Sequence, residues 1–276
     1  MKRAWLQRRL NTLFQAPGYR KNRLYTFLNQ LALDYHHAFE NHDFNFATNG
    51  EERLLQHLGA FLQNPVVFDV GANRGEWSML ALKHFNIASL HAFELCPQTF
   101  HKLKQNLTGK QGVYLNDFGL SNREESVSVL YSPSCDVLSS VVANVMQVAD
   151  VETIPGSVRI GQNYCRETAV EQIDFLKIDV EGMEQKVLEG FTAMLSEQRI
   201  RIIQLEYGMI NVCTQFLLKS IHTFFAQYDY QVGKLYRRHI DFVAYEYTQE
   251  NFLGPNYIAV RKKDRALLDF LQQRWG

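Results

Sequence analysis

The stretch Val66 to Trp77, read VVFDVGANRGEW, constrains this chain more than any other. A short apolar run ends at an acid, a Gly-x-Asn-x-Gly loop follows, and Trp77 to Phe85 reads as a helix. Strand, glycine-rich turn and helix in that order put backbone N–H groups and a helix N-terminus at the carboxyl edge of a parallel sheet. Gly71 and Gly75 permit positive φ and close approach by a ligand, and Asn73 is of the non-glycine type that best tolerates the left-handed region. A second apolar run, His91 to Phe93, ends in Glu94, 25 positions after Asp69. An acid about 20 positions beyond such a loop is spaced to grip ribose hydroxyls. The loop departs from the dinucleotide fingerprint G-x-G-x-x-G, because an acid precedes it and the third glycine is missing. Two carboxylates on neighbouring strand tips suit a cationic ligand bearing an amino acid better than a pyrophosphate.

Two later apolar runs also end in acids. Ile173 to Val180 reads as a buried parallel strand interrupted by Asp174 and Lys177, and it leads into Asp179-Val180-Glu181-Gly182. Asp179 then projects where bound ligands meet at the edge of such a sheet. Glu181 and Glu184 have a second reading, as acids favoured at the start of the next helix. Ile200 to Tyr207 delivers Glu206 to the same edge, and a carboxylate ending a buried strand needs a partner: a substrate hydroxyl, a metal or an arginine.

These motifs, VFDVGANRGEWS, Phe93-Glu94 and IDFLKIDVEGME, resemble the FkbM family of S-adenosylmethionine-dependent methyltransferases, over roughly Asn49 to Lys262. The resemblance implies an α/β, class I methyltransferase (Rossmann-like) fold: a doubly wound, seven-stranded, mostly parallel sheet, here with N-terminal helices. It divides the chain into a helical extension (1–48), a methyltransferase domain (49–264) and a C-terminal helix (265–276). The poorly patterned span 132–171 is then a lid or substrate insertion. The activity implied is methyl transfer from S-adenosyl-L-methionine to a hydroxyl oxygen, often on a sugar or polyketide. Asp69, Gly71, Asn73, Gly75 and Glu94 become cofactor-binding residues. Asp117, after the third strand, either accepts a bond from the adenine amino group or serves only as a turn-former beside Gly119.

For the chemistry, Asp179 is the first choice of general base, with Glu206 as orienter or second candidate. Alternatively both hold a divalent ion, Mg or Mn, that acidifies the hydroxyl. Substrate contacts are expected from Tyr164, Glu181, Arg237, Arg238 and His239, against the plainer readings of core packing for Tyr164, a helix-start acid for Glu181 and a solvated loop for the basic triplet. Other acceptors (nitrogen, protein, nucleic acid) and a non-catalytic scaffold of the same fold are the rival readings.

Composition narrows the partners. Lys plus Arg and Asp plus Glu each number 29, so the net charge of zero argues against a broadly cationic nucleic-acid binder. A small-molecule or glycan acceptor is expected instead. No apolar stretch reaches the ~20 residues needed to span a bilayer, and four widely spaced cysteines (Cys96, Cys135, Cys165, Cys213) read as free thiols of a cytoplasmic protein.

The first 23 residues are basic, with Trp5, Leu6, Leu10, Leu13 and Phe14 at helical spacing. This helix either makes peripheral contact with anionic lipid or packs on the domain or on a second subunit of a homodimer. Residues 22 to 40 continue as a helix in which His36 and Glu40 share a face, yet a metal there lacks a third ligand of the usual types.

Overall fold

Alternation along the central strands decides how the layers form. The computed structural model describes residues 2–15, 18–132 and 150–275. The strands are β1 (Val66–Val70), β2 (Ser89–Phe93), β3 (Val113–Asn116), β4 (Gly119–Ser121), β5 (Glu125–Tyr131), β6 (Glu152–Ile160), β7 (Ile173–Ile178), β8 (Ile200–Glu206), β9 (Tyr230–Tyr236), β10 (His239–Asp241) and β11 (Asn256–Arg261). Successive side chains of a strand point to opposite faces, so the apolar strands feed two cores. Phe68, Val70, Phe93, Leu176, Ile203 and Leu205 pack on one face with Leu188, Phe191 and Phe225. Val67, Leu90, Phe175, Ile202 and Ile258 pack on the other with Leu54, Leu58, Trp77 and Leu267. Each side of the sheet is thus covered by helices, as a parallel sheet requires.

The main sheet runs β10-β9-β11-β8-β7-β1-β2-β3. From β8 to β3 all neighbours are parallel, while β11 is antiparallel to both β8 and β9. The seven expected strands are present, and β10 adds a short eighth by folding back on β9. From β1 the chain winds outward through β2 and β3, then returns to β7 on the other side. The reversal between β1 and β7 is the topological switch point, where such sheets bind ligands.

The span expected as a lid or insertion is partly accounted for. β6 lies between β4 and β5 in a second, three-stranded sheet, and the helix Gly161–Glu167 packs back on the core through Tyr164 and Cys165. Cys135 lies outside the described residues.

The N-terminal helices Lys2–Leu13 and Arg23–Phe39 form an arm, and no residue of the second is buried. The segment after the arm is anchored to the domain. Glu40 pairs with Lys234 at 2.5 Å, and the Asn41 side chain donates to the carbonyls of Asn49 and Leu235. Glu40 is therefore engaged by β9 rather than by a cation shared with His36.

Candidate active site

The glycine loop after β1 is fixed by contacts that side chains would obstruct. Gly71 has φ +82°, and a Cβ built there would lie 1.7 Å from the Asp179 carbonyl oxygen. The β1 and β7 ends meet that closely, and only glycine allows both the angle and the approach. The N–H groups of Gly71 and Ala72 donate to the Phe93 carbonyl, at 3.0 and 2.9 Å. Asn73 takes the left-handed conformation expected of it, φ +48°. The helix Glu76–His84 then begins at Gly75.

Glu94 faces this loop. One carboxylate oxygen accepts the Asn73 N–H at 2.9 Å and the other the Cys96 N–H at 2.8 Å. Burial pushes its pKa up to about 7, against those two amide donors. The cleft at the switch point is lined by Gly71, Asn73, Glu94, Asp179, Glu181 and Lys177, with Trp77 and Phe46 among the apolar walls. Phe46 belongs to the anchored segment before the first strand, which therefore contributes to the site.

Lys177 organises the floor, although in the sequence it stands out only as a charged interruption of an apolar run. Its ammonium lies 3.0 Å from Asp179 Oδ2 and 3.6 Å from Asp69 Oδ1. Burial opposes the charge, but Asp179, Asp69 and Glu51 outweigh it and raise the pKa above the usual lysine value. A signal was available, since Asp179 directly follows β7 and stands two positions after Lys177, the spacing that shares a face of extended chain. Asp69, Lys177 and Gln204 sit side by side across β1, β7 and β8. Glu51 joins them from the helix Glu51–Gly59, taking hydrogen bonds from Asn49, Gln204 and Asn256 at 2.7, 2.6 and 2.9 Å.

Several expected site residues are placed differently. Asp69 is fully buried behind the cleft wall, accepting the Ser78 hydroxyl at 2.6 Å. It thus ties the helix after the loop to the sheet and is not among the residues that line the cleft. Tyr164 is 4% exposed, in the core on the opposite face, with its hydroxyl 2.8 Å from His91 Nδ1. Asp117 sits exposed in the bend between β3 and β4, outside the cleft lining. Arg237, Arg238 and His239 line a separate cavity with His37, His42 and Arg274, on the far side of the anchored segment. That displacement follows from β11, which is wedged between β8 and β9 and carries the β9–β10 turn away from the switch point.

Asp179 and Glu206 do converge, and Glu181 joins them. One carboxylate oxygen from each lies within 4.8 Å of the other two. Glu181 reaches the cluster from a strained backbone, φ +51°. Burial and then the neighbouring acids Asp179 and Glu184 push its pKa up to about 8. Burial, Asp179, Glu181 and Glu184 raise Glu206 well above the carboxylate range. Glu184 serves the turn instead, its Oε1 accepting the N–H groups of Gly182 and Val180 at 3.0 and 3.3 Å. Burial and mutual repulsion thus favour the protonated forms of Glu181 and Glu206, and a cation taken up among the three acids would relieve the same repulsion.

The antiparallel β11 between β8 and β9 separates this sheet from the wholly parallel sheets of dinucleotide-binding domains. With an acid on the strand after the glycine loop's own, the architecture is that of a class I methyltransferase. Residues 69–232, more than half of the chain, match the Methyltransferase FkbM domain. The chain belongs to the FkbM methyltransferase family.

Its relatives are distant. "Methyltransferase sdnD" of Sordaria araneosa is 28% identical over 157 residues, which is 46% of this chain and 60% of that protein. "Hexuronic acid methyltransferase AglP" of Haloferax volcanii is 28% identical over 152 residues, 53% of this chain and 58% of that protein. The chain thus spans about three fifths of the length of these relatives. The crystal structure of methyltransferase FkbM from Methylobacillus flagellatus superposes with a TM-score of 0.47 at 14% identity, over 71% of this chain and 43% of that one.

Proposed function

We propose that this protein transfers a methyl group from S-adenosyl-L-methionine to a hydroxyl oxygen of a sugar or related small molecule. The observation that carries the reading is the convergence of Asp179, Glu181 and Glu206 beside the Gly71–Gly75 loop. The cleft wall fits the cofactor in donor chemistry. Its carboxylates suit a ligand carrying sulfonium and ammonium charge, and Glu94 suits ribose hydroxyls. When bound, S-adenosylmethionine supplies an electrophilic methyl on a sulfonium.

The chain's residues then have distinct tasks. Glu94, steadied by two backbone amides, grips the ribose. Lys177 holds Asp179 in place. Asp179 accepts the hydroxyl proton as the acceptor oxygen is positioned, and Glu206 and Glu181 orient the hydroxyl. The hexuronic acid named for the Haloferax relative supports a sugar acceptor.

A second reading is favoured by the spacing of the three carboxylate oxygens, which matches what a divalent cation with oxygen ligands needs. Mg or Mn held there acidifies the hydroxyl directly. Dialysis against a chelator separates the readings. Activity that disappears and returns with Mg²⁺ or Mn²⁺ supports the metal, and unchanged activity supports Asp179 as base alone.

Two expectations test the cofactor site by calorimetry with S-adenosylhomocysteine. Glu94→Ala weakens binding by about 1.5–3 kcal/mol, the loss typical of a charge-assisted hydrogen bond. Affinity also follows the ionised form of Glu94 and so rises as pH increases through about 7. Binding at pH 6 is expected to be about tenfold weaker than at saturation, one pH unit corresponding to a tenfold change in ionised fraction, and Glu94→Gln flattens the profile. Tight binding of NAD with none of S-adenosylhomocysteine would overturn the reading.

A further inference from the structure

We propose that the N-terminal arm is a peripheral membrane anchor that lies in the interface of an anionic bilayer. Three observations on the arm point to this. First, its apolar side chains are left largely exposed among the described residues, and the ring contacts they make, Phe14 with Tyr19 and Tyr25 and Trp5 under Arg9, stay within the arm. Trp5, Leu6 and Phe27 are 57%, 53% and 63% exposed, and Leu24, Leu28 and Leu31 continue the stripe on the second helix. That helix buries no residue. Large exposed apolar groups in a continuous run mark an interaction surface rather than ordinary exposure.

Second, charge on the chain is sharply divided. Seven cations lie between Lys2 and Arg23, and no acid occurs before Asp34. The rest of the chain holds the remaining 22 Lys and Arg against all 29 acids. A neutral protein thus carries a net positive segment beside a run of exposed apolar side chains, the pairing that binds anionic lipid surfaces. Third, no helix among the described residues is long and apolar enough to cross a membrane. The 17-residue second helix, about 26 Å long at 1.5 Å per residue, instead suits an orientation along the surface.

A second copy of this chain is the competing occupant. Pairing two arms side by side gathers like charges. Docking an arm on another domain needs an apolar receptor, yet exposed apolar residues beyond the arm, such as Met79, Tyr114, Met209 and Tyr247, lie on separate elements.

Trp5 makes the test direct, because Trp77 and Trp275 are 2% and 3% exposed and report little from outside. The full-length protein is mixed with vesicles of phosphatidylcholine alone, or of phosphatidylcholine and phosphatidylglycerol in equal parts. Flotation with the mixed vesicles only, a blue shift of Trp5 emission and quenching by brominated acyl chains are expected. Arg8→Glu with Arg9→Glu should weaken partitioning at least about thirtyfold, from about 1 kcal/mol per cation at the surface. Leu28→Glu with Leu31→Glu should also release the protein. Both pairs lie on exposed positions, so S-adenosylhomocysteine affinity should remain within a few-fold, as it should on deletion of residues 1–21.

Two results overturn the proposal. One is the absence of binding to the mixed vesicles, or equal binding to both kinds. The other is a Trp5 shift without lipid that tracks a doubling of mass by light scattering and vanishes in Leu28→Glu, which assigns the stripe to a second copy.

Discussion

Replacing Asp179 by Asn is expected to lower turnover by ~10²–10⁴-fold, the range for loss of a general base, while S-adenosylhomocysteine affinity and melting temperature stay unchanged. The substitution is nearly isosteric, and an amide oxygen can still accept the Lys177 ammonium, 3.0 Å from the native carboxylate. What disappears is the negative charge that accepts a proton or holds a cation. Single-turnover kinetics on the true acceptor provide the measurement. Full activity would reduce Asp179 to an anchor for Lys177 and move the chemistry to Glu206 or Glu181.

The second large effect concerns stability. Lys177→Met should cost about 3–5 kcal/mol, as breaking a buried ion pair from one side does. The Lys177 ammonium is the cation that faces Asp69, which is wholly buried, and it favours the ionised forms of both Asp69 and Glu51. Without it, burial drives both acids to higher pKa, so they hold protons that the unfolded chain releases. The deficit is therefore smallest near pH 5, where protonation is easy, and grows as pH rises. Chemical denaturation at two pH values measures it. Adding Asp69→Asn to Lys177→Met should recover part of the loss, since the two changes share one interaction. Additive losses would mean that Lys177 is not held through Asp69.

Lys177 and Glu51 also show how far the sequence could be read. The apolar runs placed the starts of β7 and β8 at Ile173 and Ile200, and the glycine loop with the acids that end such runs identified Gly71, Asn73, Gly75, Glu94, Asp179 and Glu206 as positions at one sheet edge. Those are local properties: an apolar run, a turn that needs positive φ, a residue on a strand tip. In the small sheet, β6 itself was not legible, because it contains Pro155 and Gly156, residues depleted in strands.

By itself, then, the sequence determined the family, the parallel sheet and the edge on which its chemistry lies, because each depends on spacing within a few residues. Only the tertiary structure decided which acids share a cleft. It buried Asp69 behind the wall and placed Tyr164 in the opposite core. It carried Arg237 to His239 away behind β11 and brought Glu181 to within 4.8 Å of Asp179 and Glu206. The physical reason is that each of these outcomes depends on strand order and on which face a side chain takes across the sheet. Both are set by packing between residues more than a hundred positions apart, as in the contact of Glu51 with Gln204 and Asn256.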